Sequence, residues 1–279
     1  LKLKKDFSIK WIADFRDPWT SMFYLKEMYR TKFAQMRDEN LEKNVLIRAD
    51  KIITTIGDSF HDELIEKSNI SQKKLSTIPN GYDSDLIENA SQRLNSTFHI
   101  VYSGLLTNNH SFKPFFLMLK DLKSLYPKLK LKVSLAGQVS DDIDLFIREN
   151  MDNITYINKG YLPHFESVNL IKKANLLLNF TFNSNSNDKM IPGKVLEYIA
   201  TGIPILSIGN TNNYLSKFLL KGTCAKTFSD NDLKKMKSFT ENVINAFIKK
   251  KPLKNSFPNI ENFSRKALTK KLSDLLINK

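Results

Sequence analysis

Residues 189–206 read Lys189-Met190-Ile191-Pro192-Gly193-Lys194-Val195-Leu196-Glu197-Tyr198-Ile199-Ala200-Thr201-Gly202-Ile203-Pro204-Ile205-Leu206. Pro192 suits the first turn of a helix, because the N–H that proline lacks would have no partner there, and Gly202 suits the left-handed residue that ends a helix. The stretch therefore predicts a short helix over 192–201 and a buried strand over 204–208. A helix that leads directly into a buried strand is typical of α/β folds.

The start of this helix has the composition of a phosphate-binding site. The polar run 183–188 before it has no apolar period, so we expect a loop to present the helix N-terminus. Backbone N–H groups at that end favour a phosphate, since Gly193 allows close approach and Lys194 adds positive charge. Glu197 lies one turn further on, where a carboxylate can accept hydrogen bonds from two adjacent hydroxyls, as on a ribose. Phosphate and diol together indicate a nucleotide, although proline, glycine and an early glutamate also suit an ordinary helix start.

The composition is that of a globular protein long enough for two cores. Of 279 residues, 41% are hydrophobic and 11% aromatic. The sequence has no apolar run of about 18 residues that would predict a membrane span. Its first residues include neither an initiator methionine nor the apolar core of a signal peptide. One cysteine, Cys224, and four scattered histidines exclude an intrachain disulfide and a Cys/His zinc site. We expect a cytoplasmic protein whose chain begins within a longer one.

Positive charge is concentrated at the C-terminal end. Of the net charge of +14, residues 217–279 contribute +10, from 15 basic and 5 acidic groups. Such a segment can contact anionic lipid or nucleic acid. Lysine outnumbers arginine 36 to 7, and lysine suits bidentate recognition of bases or phosphates poorly, so a nucleic-acid partner is not expected. A biased genome with a solvated surface, and peripheral contact with the anionic inner face of the plasma membrane, are the explanations left open.

The second half of the chain predicts a doubly wound parallel sheet, because buried strands alternate with helices. The predicted strands are 98–102, 131–136, 154–157, 176–180 and 204–208. The predicted further helices are 113–126, 141–150, 164–174, 212–220 and 230–250. Gly104 follows the first of these strands, where a glycine would let the backbone approach a diphosphate.

The N-terminal part predicts further strands and helices in alternation. The predicted strands are 8–13, 49–56 and 75–78, and the predicted helices are 20–48 and 59–67. Asp14, Arg16 and Asp17 come directly after the first strand. Ligands of open α/β sheets lie outside the carboxyl ends of the strands, so polar residues at this position are expected to be functional. The alternative is an Asp–Arg pair that only braces the loop.

Four stretches of the chain resemble family 4 glycosyltransferases, which have the GT-B fold. Residues 192–206 are similar to the donor-binding signature, and residues 11–19, Trp-Ile-Ala-Asp-Phe-Arg-Asp-Pro-Trp, resemble an acceptor-side motif of one branch. Residues 79–83 resemble the turn at which members leave the first domain, and 160–164 resemble the loop that contacts the nucleobase. The resemblance implies an α/β protein with two doubly wound parallel-sheet (Rossmann-like) domains, the first incomplete. The expected parts are an acceptor-side domain over 1–85, a donor-binding domain over 86–251 and a helix over 252–279 that returns to the first domain.

The resemblance also implies roles for individual residues. The expected donor-binding residues are Gly104, Lys113, Gly160, Tyr161, Leu162, Ile191, Pro192, Gly193, Lys194 and Glu197. The expected catalytic residues are Asp14, Arg16, Asp17 and Lys194. The carboxylates would hold sugar hydroxyls or the acceptor oxygen and take its proton. The chain departs from the family at Leu105, where many members have an arginine, and at Lys189, where they often have a glutamate. No metal ion or cofactor is expected, since the nucleotide sugar is a substrate.

The implied function is the retaining, metal-independent transfer of a sugar from a nucleoside diphosphate-sugar to a glycan or lipid-linked acceptor, in bacterial cell-surface polysaccharide biosynthesis. Negative charge grows on the diphosphate as the glycosidic bond breaks, and Lys194, Lys113 and the helix N-terminus would stabilise it. A nucleotide-sugar epimerase of the same fold, an inactive scaffold and a nucleic-acid binder are the alternatives.

Overall fold

The computed structural model describes residues 2–22, 25, 28–57, 59–87, 96–181 and 191–277. The chain divides into two units. One unit includes Leu1–Gly81 and Glu261–Lys279, and the other includes Tyr82–Asn183 and Gly193–Ile260. No described helix is both long enough and apolar enough to cross a lipid bilayer.

Helices and strands alternate along most of the described chain. The strands are β1 (Ile12–Phe15), β2 (Lys51–Thr54), β3 (Leu75–Thr77), β4 (Thr97–Ser103), β5 (Lys130–Ala136), β6 (Thr155–Asn158), β7 (Leu176–Phe180), β8 (Ile205–Ile208) and β9 (Ala225–Phe228). The α-helices are α1 (Lys2–Phe7), α2 (Lys32–Arg48), α3 (Ser59–Ser68), α4 (Ser84–Ile87), α5 (Lys113–Leu125), α6 (Asp141–Asn150), α7 (His164–Ile171), α8 (Gly193–Ala200), α9 (Tyr214–Leu219), α10 (Leu233–Ile248) and α11 (Arg265–Ile277).

The larger sheet belongs to the second unit and has the strand order β6-β5-β4-β7-β8-β9, with all neighbours parallel. The chain adds strands on one side of β4 and then, from β7 onward, on the other, so the order reverses between β4 and β7. In such sheets, ligands bind outside the carboxyl ends of the strands where the order reverses. The predicted α/β class and the predicted doubly wound parallel sheet are confirmed.

Burial explains why the inner strands of this sheet could be recognised in the sequence. Strand β7 is buried at all its positions, and the interior of β4 is buried as well. Parallel strands covered on both faces have nearly continuous apolar sequences, which makes them easy to recognise. Strand β9 was not predicted, because it lies at the edge of the sheet and carries an exposed lysine, Lys226. Its four residues therefore lack the continuous apolar run.

The smaller sheet belongs to the first unit and has the parallel order β1-β2-β3. Helix α11 belongs to the same unit. Leu268 of α11 is buried in one cluster with Ile53 and Ile78, and Leu272 and Leu275 pack against that cluster. Leu276 of the same helix is 53% exposed. Leu268, Leu272 and Leu275 therefore attach the C-terminal helix to this cluster.

The predicted long helix over 20–48 is wrong, because α2 begins only at Lys32. Tyr29 has a φ of 45°, a left-handed conformation that a right-handed helix cannot contain. Thr31 then caps α2, since its hydroxyl accepts a hydrogen bond from the N–H of Ala34 at 3.2 Å. Residues 20–30 carry apolar side chains at helical spacing, but those of them that are described do not form an α-helix.

The first strand begins later than predicted. The expectation was 8–13, whereas residues before it form α1 and Ser8 has a left-handed φ of 51°, so that β1 covers Ile12–Phe15. Asp14 is therefore inside the strand rather than after it. Within β1, Ala13 and Phe15 are buried and Asp14 is exposed, as the two-residue period of a strand requires.

His99 gives the core of the larger sheet an expected sensitivity to acid. It lies on β4, is 6% exposed, and its Nε2 is 2.8 Å from the hydroxyl oxygen of Ser134 on β5. Burial, with a smaller effect from the positive charge of Lys132, lowers the pKa of His99 to about 4. The unfolded chain binds a proton at this residue below pH about 6.5, and the folded chain does not. Stability is therefore fully present above that pH and is lost as the pH falls toward 4, by about 2 kcal/mol at pH 5.

The measurement is the free energy of unfolding by urea at pH 7.5 and at pH 5, for the wild type and for His99→Gln. The variant is expected to lose about 2 kcal/mol less than the wild type between these pH values. Burial also lowers the pKa of His110, so a smaller slope should persist in the variant. Equal losses in the two proteins would contradict the assignment to His99.

Candidate functional site

Helix α8 is attached to the carboxyl end of β4 by its Tyr198. The Tyr198 side chain is fully buried, and its hydroxyl accepts a hydrogen bond from the N–H of Ser103, the last residue of β4, at 2.7 Å. The helix begins at Gly193 and ends before Gly202, whose φ of 69° is left-handed as predicted. The first turn of α8 is thereby fixed beside the point where the strand order reverses.

Lys194 brings a positive charge to this point. Its Nζ lies 4.0 Å from the centroid of the Tyr102 ring, and the side chain is half-buried. Burial lowers the pKa of Lys194 to about 7. No ion pair joins Lys194 to a carboxylate within the described part of the chain. A buried ammonium without a carboxylate partner favours an anionic ligand.

Gly104 leaves room for that ammonium. A Cβ at Gly104 would lie 3.0 Å from Nζ of Lys194, and the residue has a φ of 135°, which other residues rarely adopt. A Cβ at Gly137, after β5, would lie 2.3 Å from the carbonyl oxygen of Gly104. The two turns can therefore approach each other this closely only because residue 137 is a glycine. The ends of β4 and β5 thus form a close-packed backbone surface beside Lys194.

Glu197 follows Lys194 by three residues on α8 and is hydrogen-bonded. Nε2 of His164 donates to Oε1 of Glu197 at 2.7 Å. The Glu197 side chain is 16% exposed and that of His164 is 47% exposed. His164 is the first residue of α7, which is tied to β4 by a hydrogen bond of 2.8 Å between the hydroxyls of Ser167 and Ser103. The sequence singled out Glu197 but not its partner.

The loop after β6 contains three of the predicted donor-binding residues. Gly160 has a φ of 62°, and its N–H donates to Oδ1 of Asn158 at 3.0 Å. Asn158 in turn donates to Asp144 on α6 at 2.8 Å. Tyr161 is 86% exposed, and Leu162 is half-buried. The start of the loop is held by hydrogen bonds, while Tyr161 extends into solvent.

Other predicted donor residues have different surroundings. Lys113 is exposed at the start of α5, and its Nζ lies 5.4 Å from the centroid of the Phe146 ring on α6. Leu105 is 47% exposed and occupies the position at which an arginine was expected. Ile191 is buried and Pro192 is half-buried just before α8. Lys189 and the polar run 183–188 lie outside the described residues.

The predicted acceptor-side residues all belong to the first unit and are exposed. Nε of Arg16 donates a hydrogen bond to Oδ2 of Asp14 at 2.8 Å, and Nη2 forms an ion pair with the same oxygen at 2.8 Å. Arg16 also donates to the carbonyl oxygen of Ile78 at 3.4 Å. The structure thus contains the Asp–Arg pair that the bracing interpretation predicted. Asp17 is exposed outside this pair.

Metal ligands do not cluster in the part of the chain that the structure describes. No group of three or more histidine, cysteine, aspartate or glutamate side chains there could hold a metal ion. The positive charge near β4 comes instead from Lys194 and from the N-terminus of α8.

The two parallel sheets, with a candidate anion site at the strand reversal of the larger one, define a protein with the GT-B fold of glycosyltransferases. Comparison with solved structures shows the same fold. HepE of Anabaena, in complex with UDP and glucose, superposes with a TM-score of 0.65 at 11% identity, over 99% of this chain and 73% of HepE. WaaG, a glycosyltransferase involved in lipopolysaccharide biosynthesis, gives a TM-score of 0.58 at 12% identity, over 100% of this chain and 80% of WaaG.

A third structure, TarM, gives a TM-score of 0.60 at 13% identity and matches 90% of this chain. The chain spans only about half of that protein, since 48% of TarM is covered. No family model and no curated protein matches the sequence. At these identities the comparisons establish the fold of the chain.

Proposed function

We propose that this chain is a glycosyltransferase of the family 4 type, which moves a sugar from a nucleoside diphosphate-sugar to a glycan or lipid-linked acceptor in polysaccharide biosynthesis. The observation that carries the proposal is the arrangement on α8: Lys194 lies against Gly104 at the strand reversal, and Glu197 is one turn away. The fold supports it, since HepE was solved with UDP and glucose and WaaG acts in lipopolysaccharide biosynthesis. The proposed place of action is the cytoplasm or the inner face of the plasma membrane.

Each part of the site has a proposed task. The first turn of α8 and Lys194 hold the diphosphate, because backbone N–H groups and an ammonium both favour phosphate oxygens. Glu197 accepts hydrogen bonds from the ribose, and the loop from Gly160 to Leu162 contacts the nucleobase. Lys194 then stabilises the negative charge that grows on the leaving diphosphate, a role that needs no metal ion.

The acceptor is assigned to the first unit. Of its two candidate carboxylates, Asp14 already accepts a hydrogen bond from Arg16 and forms an ion pair with it, whereas Asp17 is exposed outside that pair. A carboxylate that remains a free acceptor is better suited to orient a sugar hydroxyl. We assign Asp17 to the acceptor and the Asp14–Arg16 pair to the shape of its loop. Retention of configuration belongs to the same proposal.

Replacing Glu197 by alanine is expected to weaken binding of a nucleoside diphosphate about 10- to 100-fold, because hydrogen bonds to a charged group contribute roughly 1.5–3 kcal/mol each. Thermal shift with UDP, GDP, ADP, CDP and dTDP identifies the base, and isothermal titration calorimetry then gives the dissociation constants. The matched control is Glu149→Ala, which removes an exposed carboxylate of α6 and should leave binding unchanged.

Unchanged affinity in Glu197→Ala would remove the ribose assignment. Absence of stabilisation by every nucleoside diphosphate would contradict the nucleotide function itself. Conversion of a nucleotide sugar into its epimer, without transfer to a second molecule, would instead identify a nucleotide-sugar epimerase.

A further inference from the structure

None of the tasks proposed for the nucleotide site uses the hydrogen bond between His164 and Glu197. It occupies Oε1 of Glu197 at 2.7 Å. A carboxylate has two oxygens and about four acceptor positions, so Oε2 is left for other donors. An imidazole N–H on one oxygen fixes the torsion of the carboxylate and thereby the direction of the second oxygen.

The two helices that carry this pair are anchored on one residue. Ser103 donates its N–H to Tyr198 of α8 at 2.7 Å, and its hydroxyl is hydrogen-bonded to Ser167 of α7 at 2.8 Å. Each anchor is close to its half of the pair, since Tyr198 follows Glu197 and Ser167 is one turn from His164. The distance between the imidazole and the carboxylate is therefore set by the end of β4.

We propose that His164 is a positioning residue that makes the nucleotide site selective for ribose. It holds Glu197 so that the free carboxylate oxygen meets the ribose hydroxyls, and a nucleotide that lacks the 2′-hydroxyl is bound less tightly. A site built to accept a hydrogen bond from a hydroxyl rejects an analogue without it, because its buried acceptor is then unpaired. The inference rests on the proposed function, since it concerns the donor nucleotide.

The pair is well placed for this task by its burial. The Glu197 side chain is 16% exposed, so its carboxylate is shielded yet reachable, and the His164 side chain is 47% exposed. His164 also comes shortly after the loop from Gly160 to Leu162 in the sequence, and that loop is the one proposed to contact the nucleobase. The same imidazole therefore connects the residues proposed for the base with the residue proposed for the ribose.

The test compares ribo- and 2′-deoxyribonucleoside diphosphates as pairs: UDP with dUDP, GDP with dGDP, ADP with dADP and CDP with dCDP. Dissociation constants are measured by calorimetry for the wild type, His164→Ala, His164→Gln and Glu197→Ala. The wild type is expected to favour the ribonucleotide about 10- to 100-fold, as the loss of a hydrogen bond to a charged group implies. His164→Ala should reduce that preference to the low value of Glu197→Ala. His164→Gln, whose side-chain N–H can still donate to Glu197, should retain most of it.

The control is Glu166→Gln, which changes an exposed residue in the first turn of the same helix and should keep the wild-type preference. A purely structural role for His164 would lower the melting temperature and weaken both members of each nucleotide pair equally. An unchanged preference in His164→Ala, or an equal loss in His164→Gln, would overturn the inference while the proposed function stands. Binding of dTDP alone would overturn the inference while the proposed function stands. If the wild type binds neither these nucleotides nor dTDP, the proposed function is contradicted.

Discussion

Replacing Lys194 by methionine is expected to weaken nucleoside diphosphate binding about 100-fold and, at the same time, to raise the melting temperature of the ligand-free protein. Loss of a charged donor from a desolvated site costs about 2–5 kcal/mol of binding free energy. Burial of the ammonium is itself unfavourable, since it lowers the pKa of Lys194 from 10.5 to about 7. That shift corresponds to roughly 5 kcal/mol, of which the contact with the Tyr102 ring returns about 1–2 kcal/mol. Methionine has a similar length and no charge to desolvate.

The opposite signs of the two effects make this prediction specific. A variant that lost binding because it was misfolded would melt earlier than the wild type, whereas Lys194→Met should melt later by roughly 5–10 °C. Unchanged affinity in Lys194→Met would contradict the diphosphate assignment. The measurements are differential scanning calorimetry of the ligand-free proteins and titration calorimetry with the nucleotide identified by thermal shift.

The pH dependence of binding supplies a second readout for the same residue. Lys194 carries its charge below its pKa of about 7 in the free protein, and a bound diphosphate would raise that pKa. Binding above pH 7 therefore requires uptake of a proton, and affinity should fall by up to about tenfold for each pH unit. Lys194→Arg should flatten this profile, because a guanidinium does not lose its proton in this range.

The parts of the fold that sequence reasoning found are those with a strong local signal. Apart from Asn179, strand β7 consists of apolar residues, and the helix before β8 has a proline at its start and Gly202 at its end. These features depend on residues close together in the chain, because covered parallel strands and helix ends each have their own composition. The edge strand β9 has no such signal, and the conformation of Tyr29, which separates a turn from α2, is not determined by apolar spacing.

The candidate site was predictable only as single residues. Lys194 and Glu197 are visible in the sequence because they follow a helix start, and Gly104 because it follows a strand. The partner of Glu197 is 33 residues away in the chain, so only the packing of α7 and α8 on β4 brings His164 to it. A histidine directly after the Gly-Tyr-Leu-Pro turn was the available signal.

In the first unit, the sequence left two interpretations of Asp14, Arg16 and Asp17 open. The structure distinguishes these residues by their contacts, since Arg16 pairs with Asp14 while Asp17 lies outside that pair. A two-residue spacing cannot show which carboxylate an arginine selects. Here β1 continues through Asp14 and so places it within reach of the guanidinium.

Replacing Lys67 by methionine is expected to destabilise the first unit by about 3–5 kcal/mol, because it leaves the buried carboxylate of Glu42 without its positive partner. Glu42 on α2 is 1% exposed. Nζ of Lys67 on α3 lies 3.2 Å from its Oε2 and 3.0 Å from Oε1 of Glu63. The ammonium also donates to the hydroxyl of Thr20 at 3.0 Å, so the cluster joins two helices to the segment that follows Asp17-Pro18-Trp19.

A double-mutant cycle separates this cost from the loss of packing. Adding Glu42→Gln to Lys67→Met removes the uncompensated charge, so the double variant should recover a large part of the stability that the single variant lost. Lys43→Met, which changes an exposed lysine of α2, should stay within about 0.5 kcal/mol of the wild type. The free energies of unfolding are measured in urea, with a probe located in the first unit to monitor the transition. A loss of less than about 1 kcal/mol of unfolding free energy in Lys67→Met would mean that water, rather than Lys67, compensates the Glu42 carboxylate. Only hydrogen bonds would then hold the loop after β1.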